Sequence, residues 1–112
     1  MNNRIQRINS LLKEELSKIL SRELDFPRDI LVTVTRCEAF SNLSEAKVYI
    51  SVLPEEKRKE IFEIINKKIF DIQQILNSRL KMRPIPKIRF VREEKNKQAQ
   101  RIEEILDNLK KQ

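Results

Sequence analysis

The sequence predicts one α+β domain, in the order helix, strand, strand, long helix or helix pair, strand and tail helix. Three observations carry that prediction. Apolar residues recur every three or four positions over residues 3–24, 54–82 and 93–112, the spacing of a helix with one buried stripe. Residues 30–40, 46–53 and 87–92 instead alternate or run in β-branched types, as strands do. A length of 112 residues suits a single domain with one modest core, so a second domain is not expected.

The first helix places Ile5, Ile8, Leu12, Leu16, Ile19 and Leu20 on one stripe. Asn3 with Gln6 resembles a capping pair, and Phe26-Pro27 ends the element because a residue before proline avoids the helical basin. Its polar face mixes Lys13, Lys18 and Arg22 with Glu14, Glu15 and Glu23, leaving only the first turn, with Arg4 and Arg7, distinctly basic.

Val32-Thr33-Val34-Thr35 marks the first strand, and Ser41-Asn42-Leu43-Ser44 the turn that follows. The chain contains no glycine, so Asn42 is the residue expected to take a left-handed conformation there. In the second strand Ala46, Val48, Ile50 and Val52 alternate with Lys47, Tyr49, Ser51 and Leu53, predicting one core face and one largely polar face.

Pro54 is expected at the first helical position, with Glu55 and Glu56 at the positive end of the helix dipole. Ile61, Ile65, Ile69, Ile72, Ile75, Leu76 and Leu80 then keep helical phase as far as Met82. Unbroken, that helix would be about 28 residues and ~42 Å long, against a radius of gyration near ~13 Å for a domain of this size. It therefore bends or projects, and a modest bend is expected near residues 67–71. Ile88 and Phe90 face the core from the third strand. Residues 1–92 thus form the body, and residues 93–112, with Ala99, Ile102, Ile105, Leu106 and Leu109 in helical phase, form a tail helix that docks on it or frays until a partner binds.

Charge is distributed unevenly along this pattern. The chain has 24 basic and 17 acidic residues, a net charge of +7 and a pI near 9.8. Between Asp71 and Glu93 no acid occurs, yet Arg79, Lys81, Arg83, Lys87, Arg89 and Arg92 all fall there; without them 18 bases face 17 acids. A block of one sign held by two prolines, Pro84 and Pro86, reads as a built surface for a polyanion, with nucleic acid the first candidate.

Other chemistries lack their residues. Without histidine the commonest general base and metal ligand are missing, and one cysteine cannot complete a structural zinc site or an internal disulfide. Without glycine neither the P-loop nor the dinucleotide fingerprint can form. Cys37 reads as a small apolar filler, because nothing nearby in sequence would lower its pKa. No enzyme, metal, cofactor or small-molecule substrate is expected. The N-terminus lacks the apolar core of a signal peptide and no run suffices for a membrane span, so a cytoplasmic protein without membrane contact is expected.

The order of elements matches a type II KH domain, an RNA-binding architecture. More specifically, Asp25-Phe26-Pro27-Arg28, residues 31–35, residues 43–52 (LSEAKVYISV), Arg79-Leu80-Lys81-Met82-Arg83, Pro86-Lys87-Ile88-Arg89-Phe90-Val91 and Arg101-Ile102 together resemble the bacterial ribosome-binding factor A family over roughly residues 4–107. The resemblance implies a KH-like body with a three-stranded mixed sheet, and a monomeric, noncatalytic assembly factor. Its implied partners are the 30S ribosomal subunit or its precursor and 16S ribosomal RNA, during late maturation of that RNA and with a role in growth in the cold. The family usually kinks its second helix at Ala-x-Gly, where this chain carries Lys68-Ile69-Phe70. A kink without glycine or proline needs another cause.

The candidate RNA-binding residues are Arg4, Arg7, Arg28, Arg36, Lys67, Lys68, Arg79, Lys81, Arg83 and Arg89. For Arg79, Lys81 and Arg83 the competing role is that of helix C-terminal cations favoured by the dipole. Tyr49 either stacks a base or packs against Arg36 or the tail helix. Without the glycine loop that clamps single strands in KH domains, recognition of shape and phosphate is expected rather than sequence readout. Neutralising about six phosphates would give log affinity a slope against log salt of roughly −4 to −5. Two alternatives are a protein adaptor acting through residues 99–109 and a general nucleic-acid-binding module.

Overall fold

A computed structural model describes residues 3–94 and bears out the α+β prediction with three α-helices and a three-stranded mixed sheet. The predicted tail helix lies outside the described residues. Helix α1 spans Asn3–Glu23 and buries Ile8, Leu12, Leu16, Ile19 and Leu20, the predicted stripe apart from half-buried Ile5. Strands β1 (Leu31–Ala39) and β2 (Glu45–Leu53) form an antiparallel hairpin, and β3 (Lys87–Arg92) pairs parallel to β2, giving the order β1-β2-β3. The parallel pair follows from the connection, since a helical crossover returns the chain to the end of the sheet where β2 began.

The core lies between one face of this sheet and the helices. Ala46, Val48, Ile50 and Val52 supply the buried face of central β2, flanked by Val34 and Cys37 from β1 and by Ile88 and Phe90 from β3. Ile61 and Ile65, then Ile72 and Leu76, close the layer from the helices after β2. Each fully buried Leu or Ile contributes about 1.5–3 kcal/mol relative to exposure. The registers put Arg36, Lys47, Tyr49, Arg89 and Val91 on the opposite, helix-free face.

Four local expectations are corrected. Leu43, not Asn42, takes the left-handed conformation in the hairpin turn, at φ 60°. Its side chain is buried in the core, and burying a leucine outweighs the roughly 1–2 kcal/mol cost of that backbone region. Asn42 instead accepts hydrogen bonds at Oδ1 from the Ser44 amide (3.1 Å) and hydroxyl (2.8 Å), fixing the turn from outside. Pro54 caps rather than begins the next helix: its ψ of 151° is extended, and a 3₁₀ turn, Glu55–Lys57, precedes α2 (Arg58–Lys67).

The long helix ends at Lys68 and restarts, where sequence phase suggests only a modest bend. Lys68, at φ −105° and ψ 7°, leaves helical geometry, and α3 runs Ile69–Arg79. The Lys68 amide donates to Ile65 O (3.0 Å), tightening the last turn of α2, while its carbonyl accepts from the Ile72 amide (2.9 Å) and starts α3. One residue thus serves both helix ends without glycine or proline, so few backbone groups are orphaned. The break lets α2 pack on β2 while α3 packs on α1. Helix α3 also ends earlier than predicted, because Leu80 is already extended (ψ 136°) and sends its side chain into the core.

Candidate nucleic-acid interface

One end of the sheet gathers charge that the sequence scatters over some 80 residues. Asn9 Oδ1 of α1 accepts from the Ala39 amide (2.7 Å), which fixes the start of α1 beside the end of β1. Ala39 pairs with Ala46 and Ala46 with Ile88, and the Lys87 amide donates to Ser44 O (3.1 Å). The first turns of α1, the β1–β2 turn and the corner entering β3 therefore share one end. Arg4, Arg7, Lys81, Arg83 and Lys87 are all exposed there, and none forms an ion pair among the described residues.

Arg79, expected with Lys81 and Arg83 to contact RNA, is engaged elsewhere. Its Nε donates to Glu15 Oε2 at 2.7 Å, joining α3 to α1 across 64 residues of sequence. Lys81 and Arg83 lie beyond the helix rather than in it. The Arg83 guanidinium folds back on carbonyls, donating to Met82 O (2.6 Å), Leu80 O (2.9 Å) and, at 3.5 Å, Asn77 O. Carbonyl dipoles orient Arg83 and leave its full positive charge in place.

Arg36 is neutralised on the helix-free face. The strand register shifts between Val34 and Arg36, leaving Thr35 as the extra residue of a bulge. The guanidinium of Arg36 then lies 3.6 Å from the Tyr49 ring centroid and pairs with Glu38 and, at 3.1 Å, with Glu93. The Tyr49 hydroxyl donates to Glu38 Oε2 (3.0 Å), and Thr35 Oγ1 donates to Glu93 Oε2 (2.6 Å). Partial desolvation lowers the Arg36 pKa, but the bond to Glu38 and the charges of Glu93 and Glu38 more than offset it and leave a net rise. Desolvation and the bond to Glu38 likewise raise Tyr49. Tyr49 thus packs against Arg36, one of the two alternatives posed for it, and neither side chain is free for RNA without breaking this network.

The remaining candidates are dispersed. Arg28 sits in the turn before β1, at the opposite end of the sheet; Arg89 is exposed on the helix-free face; Lys67 and Lys68 are exposed at the break between α2 and α3. Phe70, absent from the sequence-derived set, stands 72% exposed beside those lysines. Its position out of phase with Ile65, Ile69 and Ile72 is the signal that would have found it.

Cys37 is buried, and desolvation pushes its thiol up to about 12, with a smaller opposing effect from Lys13, which suits a filler and not a nucleophile. Among the described residues no group of three or more acidic, cysteine or histidine side chains is placed to hold a metal ion, and no helix is long and apolar enough to cross a membrane.

Comparison with known proteins gives this geometry a family. Residues 4–106 match the family model described as ribosome-binding factor A. The Halothermothrix orenii protein of that name is 36% identical over 110 residues, covering 97% of this chain and 90% of the relative. The crystal structure of ribosome-binding factor A from Thermus thermophilus superposes with a TM-score of 0.67 at 22% identity, over 79% of this chain and 93% of that one. A homology model of Thermus thermophilus ribosome-binding factor A, fitted into the cryo-EM map of a complex with 30S, superposes at 0.60 and 24% identity, over 74% of this chain and 88% of that one. With a family match across nearly its whole length and a relative more than one third identical, this chain belongs to the ribosome-binding factor A family.

Proposed function

We propose that this protein is a noncatalytic ribosome assembly factor that binds the free small (30S) ribosomal subunit or its precursor, contacts 16S ribosomal RNA and supports its late maturation in the cytoplasm. The observation that carries the reading is the basic end of the sheet, in a chain of this family. Arg4, Arg7, Lys81, Arg83 and Lys87 converge there from two separate stretches of sequence, exposed and without carboxylate partners among the described residues. Such a cluster attracts phosphates and fixes orientation on RNA without reading bases. Arg79 acts in support, holding α3 against α1 through Glu15. The folded body is a KH-like platform and works as a monomer, biasing local RNA conformation by occupying one arrangement of the backbone.

Cosedimentation with purified small subunits, large subunits and assembled ribosomes at two salt concentrations tests this reading. Preferential binding to free small subunits, weakened at the higher salt, is expected. Equal binding to all three particles, or binding indifferent to salt, would overturn it.

A further inference from the structure

The outer edge of β1 carries backbone groups that no described residue satisfies. β1 is an outer strand of the sheet, paired with β2 on one side alone. In an antiparallel ladder, alternate residues turn their amide and carbonyl away from the partner strand. Ile50 and Val52 of β2 turn theirs toward β3, as the bond from the Glu93 amide to Ile50 O (3.0 Å) shows, so Val34 and Val32, opposite them in register, point outward. Ala39 points outward too, and there Asn9 Oδ1 of α1 accepts from its amide (2.7 Å). That side chain closes one end of the edge, and among the described residues no such cap covers Val32 or Val34.

A hollow of about 300 Å³ lies against this open stretch. It touches Leu31, Val32, Thr33 and Val34, four consecutive residues whose side chains alternate between faces, so it runs along the edge of the strand. Leu20, Phe26 and Ile30 make the rest of its wall apolar. Ser17 and Ser21 also line it, but their hydroxyls donate to Lys13 O (2.7 Å) and Lys18 O (3.1 Å) of their own helix. Lys13 stands on α1 between Asn9 and Ser17, one helical turn from each, exposed and without an ion pair among the described residues. Its charge is felt at Cys37, two residues before the capped Ala39, so a cation lies between the hollow and the closed end.

These features select one kind of occupant. Outward amides and carbonyls at strand spacing are matched by the backbone of another strand, and the hollow beside them by a side chain of that strand. RNA offers no such row of alternating donors and acceptors. A second copy joined edge to edge would carry its own α1 over the same face of the sheet. Paired strands lie ~4.8 Å apart whereas packed helices need about 8–10 Å, so the two α1 helices would collide. A single extended segment brings no helix with it. Lys13 narrows the chemistry further, because it complements an acid placed about four residues along the added strand from the side chain in the hollow.

We propose that the groove between α1 and the outer edge of β1 takes an extended segment of a partner protein as a fourth strand, seating an apolar side chain against Phe26 and Ile30 and an acidic one beside Lys13. This surface adds a protein partner to the RNA-binding reading and does not depend on it.

A random heptapeptide library displayed on phage and panned against the full-length protein supplies the probe. Enriched sequences are expected to place an apolar residue about four positions from an acid. A synthetic peptide of the leading sequence should slow amide exchange at Val32 and Val34. Three variants then locate the site, with circular dichroism confirming each fold. Ser21→Phe fills the hollow and should weaken the peptide about tenfold. Val32→Pro removes one outward amide where an edge strand tolerates proline, and should weaken it about three- to tenfold. Lys13→Gln should weaken it about threefold. Failure to enrich any sequence, equal binding by wild type and folded Ser21→Phe, or exchange at Val32 and Val34 that the peptide leaves unchanged would overturn the proposal. A concentration-dependent dimer that Ser21→Phe abolishes would assign the edge to a second copy, and oligouridine binding that Ser21→Phe abolishes would assign it to RNA; either result overturns it as well.

Discussion

Replacing Glu15 with Gln should loosen the fold and strengthen RNA binding at once, because Glu15 is the partner that holds Arg79. The contact is short, 2.7 Å from Nε to Oε2, but the Arg79 side chain is 35% exposed and that of Glu15 16%. Exposed pairs contribute about 0.2–1 kcal/mol after solvent screening and side-chain entropy, and the partial burial of Glu15 places this one in the upper part of that range. A double-mutant cycle of Glu15→Gln and Arg79→Met should therefore give a coupling of about 0.5–1 kcal/mol in urea denaturation. For a domain of this size that corresponds to a melting shift of about 2–5 °C. The same Glu15→Gln change removes one negative charge near the basic end and frees a guanidinium, so affinity for small subunits should rise at constant salt. Lys81→Met, which removes an unpaired cation, should lower that affinity while leaving stability within about 0.5 kcal/mol of wild type. A coupling indistinguishable from zero, or weaker subunit binding by a folded Glu15→Gln protein, would refute the assignment of Arg79 to a structural pair.

Three further outcomes follow from local structure. Leu43→Gly relieves a left-handed leucine but empties a core position; the cavity cost of about 2–5 kcal/mol exceeds the relief of about 1–2 kcal/mol, so urea denaturation should show net destabilisation, and a stabilised variant would contradict the account. Gln73→Leu should cost about 1–3 kcal/mol, because Gln73 covers the outer edge of β3 by accepting from the Ile88 amide (2.9 Å) and donating to Pro86 O (3.1 Å), and the variant leaves both groups unpaired; an unchanged denaturation midpoint would exclude this role. Cys37 ionises near 9.0 when exposed and at about 12 in the fold, so the unfolded chain gives up its proton first and stability should fall as pH rises between those values, with no effect below 9; the fall should flatten in Cys37→Ala, and native Cys37 should resist iodoacetamide at pH 9 until the protein is unfolded.

Periodicity reveals the body of the fold because each element buries one face. The α1 stripe and the β2 alternation can be read directly, since packing there depends on spacing along a single element. Turn propensity favours Asn42 as the left-handed residue locally, whereas the decisive effect, burial of Leu43, is tertiary. The extent of the break at Lys68 is hidden for a similar reason: apolar phase runs through it, and only the separate packing of α2 on β2 and of α3 on α1 divides the halves. In the candidate interface, charge density along residues 79–92 points to the basic corner, but not to the free residues within it. Arg79 meets Glu15 from 64 positions away, and Arg36 meets Glu93 only because a bulge in β1 and the parallel pairing of β3 with β2 bring the residue after β3 within reach of Arg36 across β2. Ion pairs of that kind belong to topology, and composition cannot distinguish a cation that is neutralised from one that is free.

The most direct test of the account is the salt dependence of binding to free small subunits, measured for the wild type and for a variant carrying Lys81→Gln and Arg7→Gln. With the unpaired cations Arg4, Arg7, Lys81, Arg83 and Lys87 at one end of the sheet, log affinity should fall against log salt with a slope of roughly −3.5 to −4.5 in the wild type, and the two substitutions should make it shallower by about 1.4–1.8. A wild-type slope near zero, or a slope that the two substitutions leave unchanged, would contradict the claim that this end of the protein docks on ribosomal RNA.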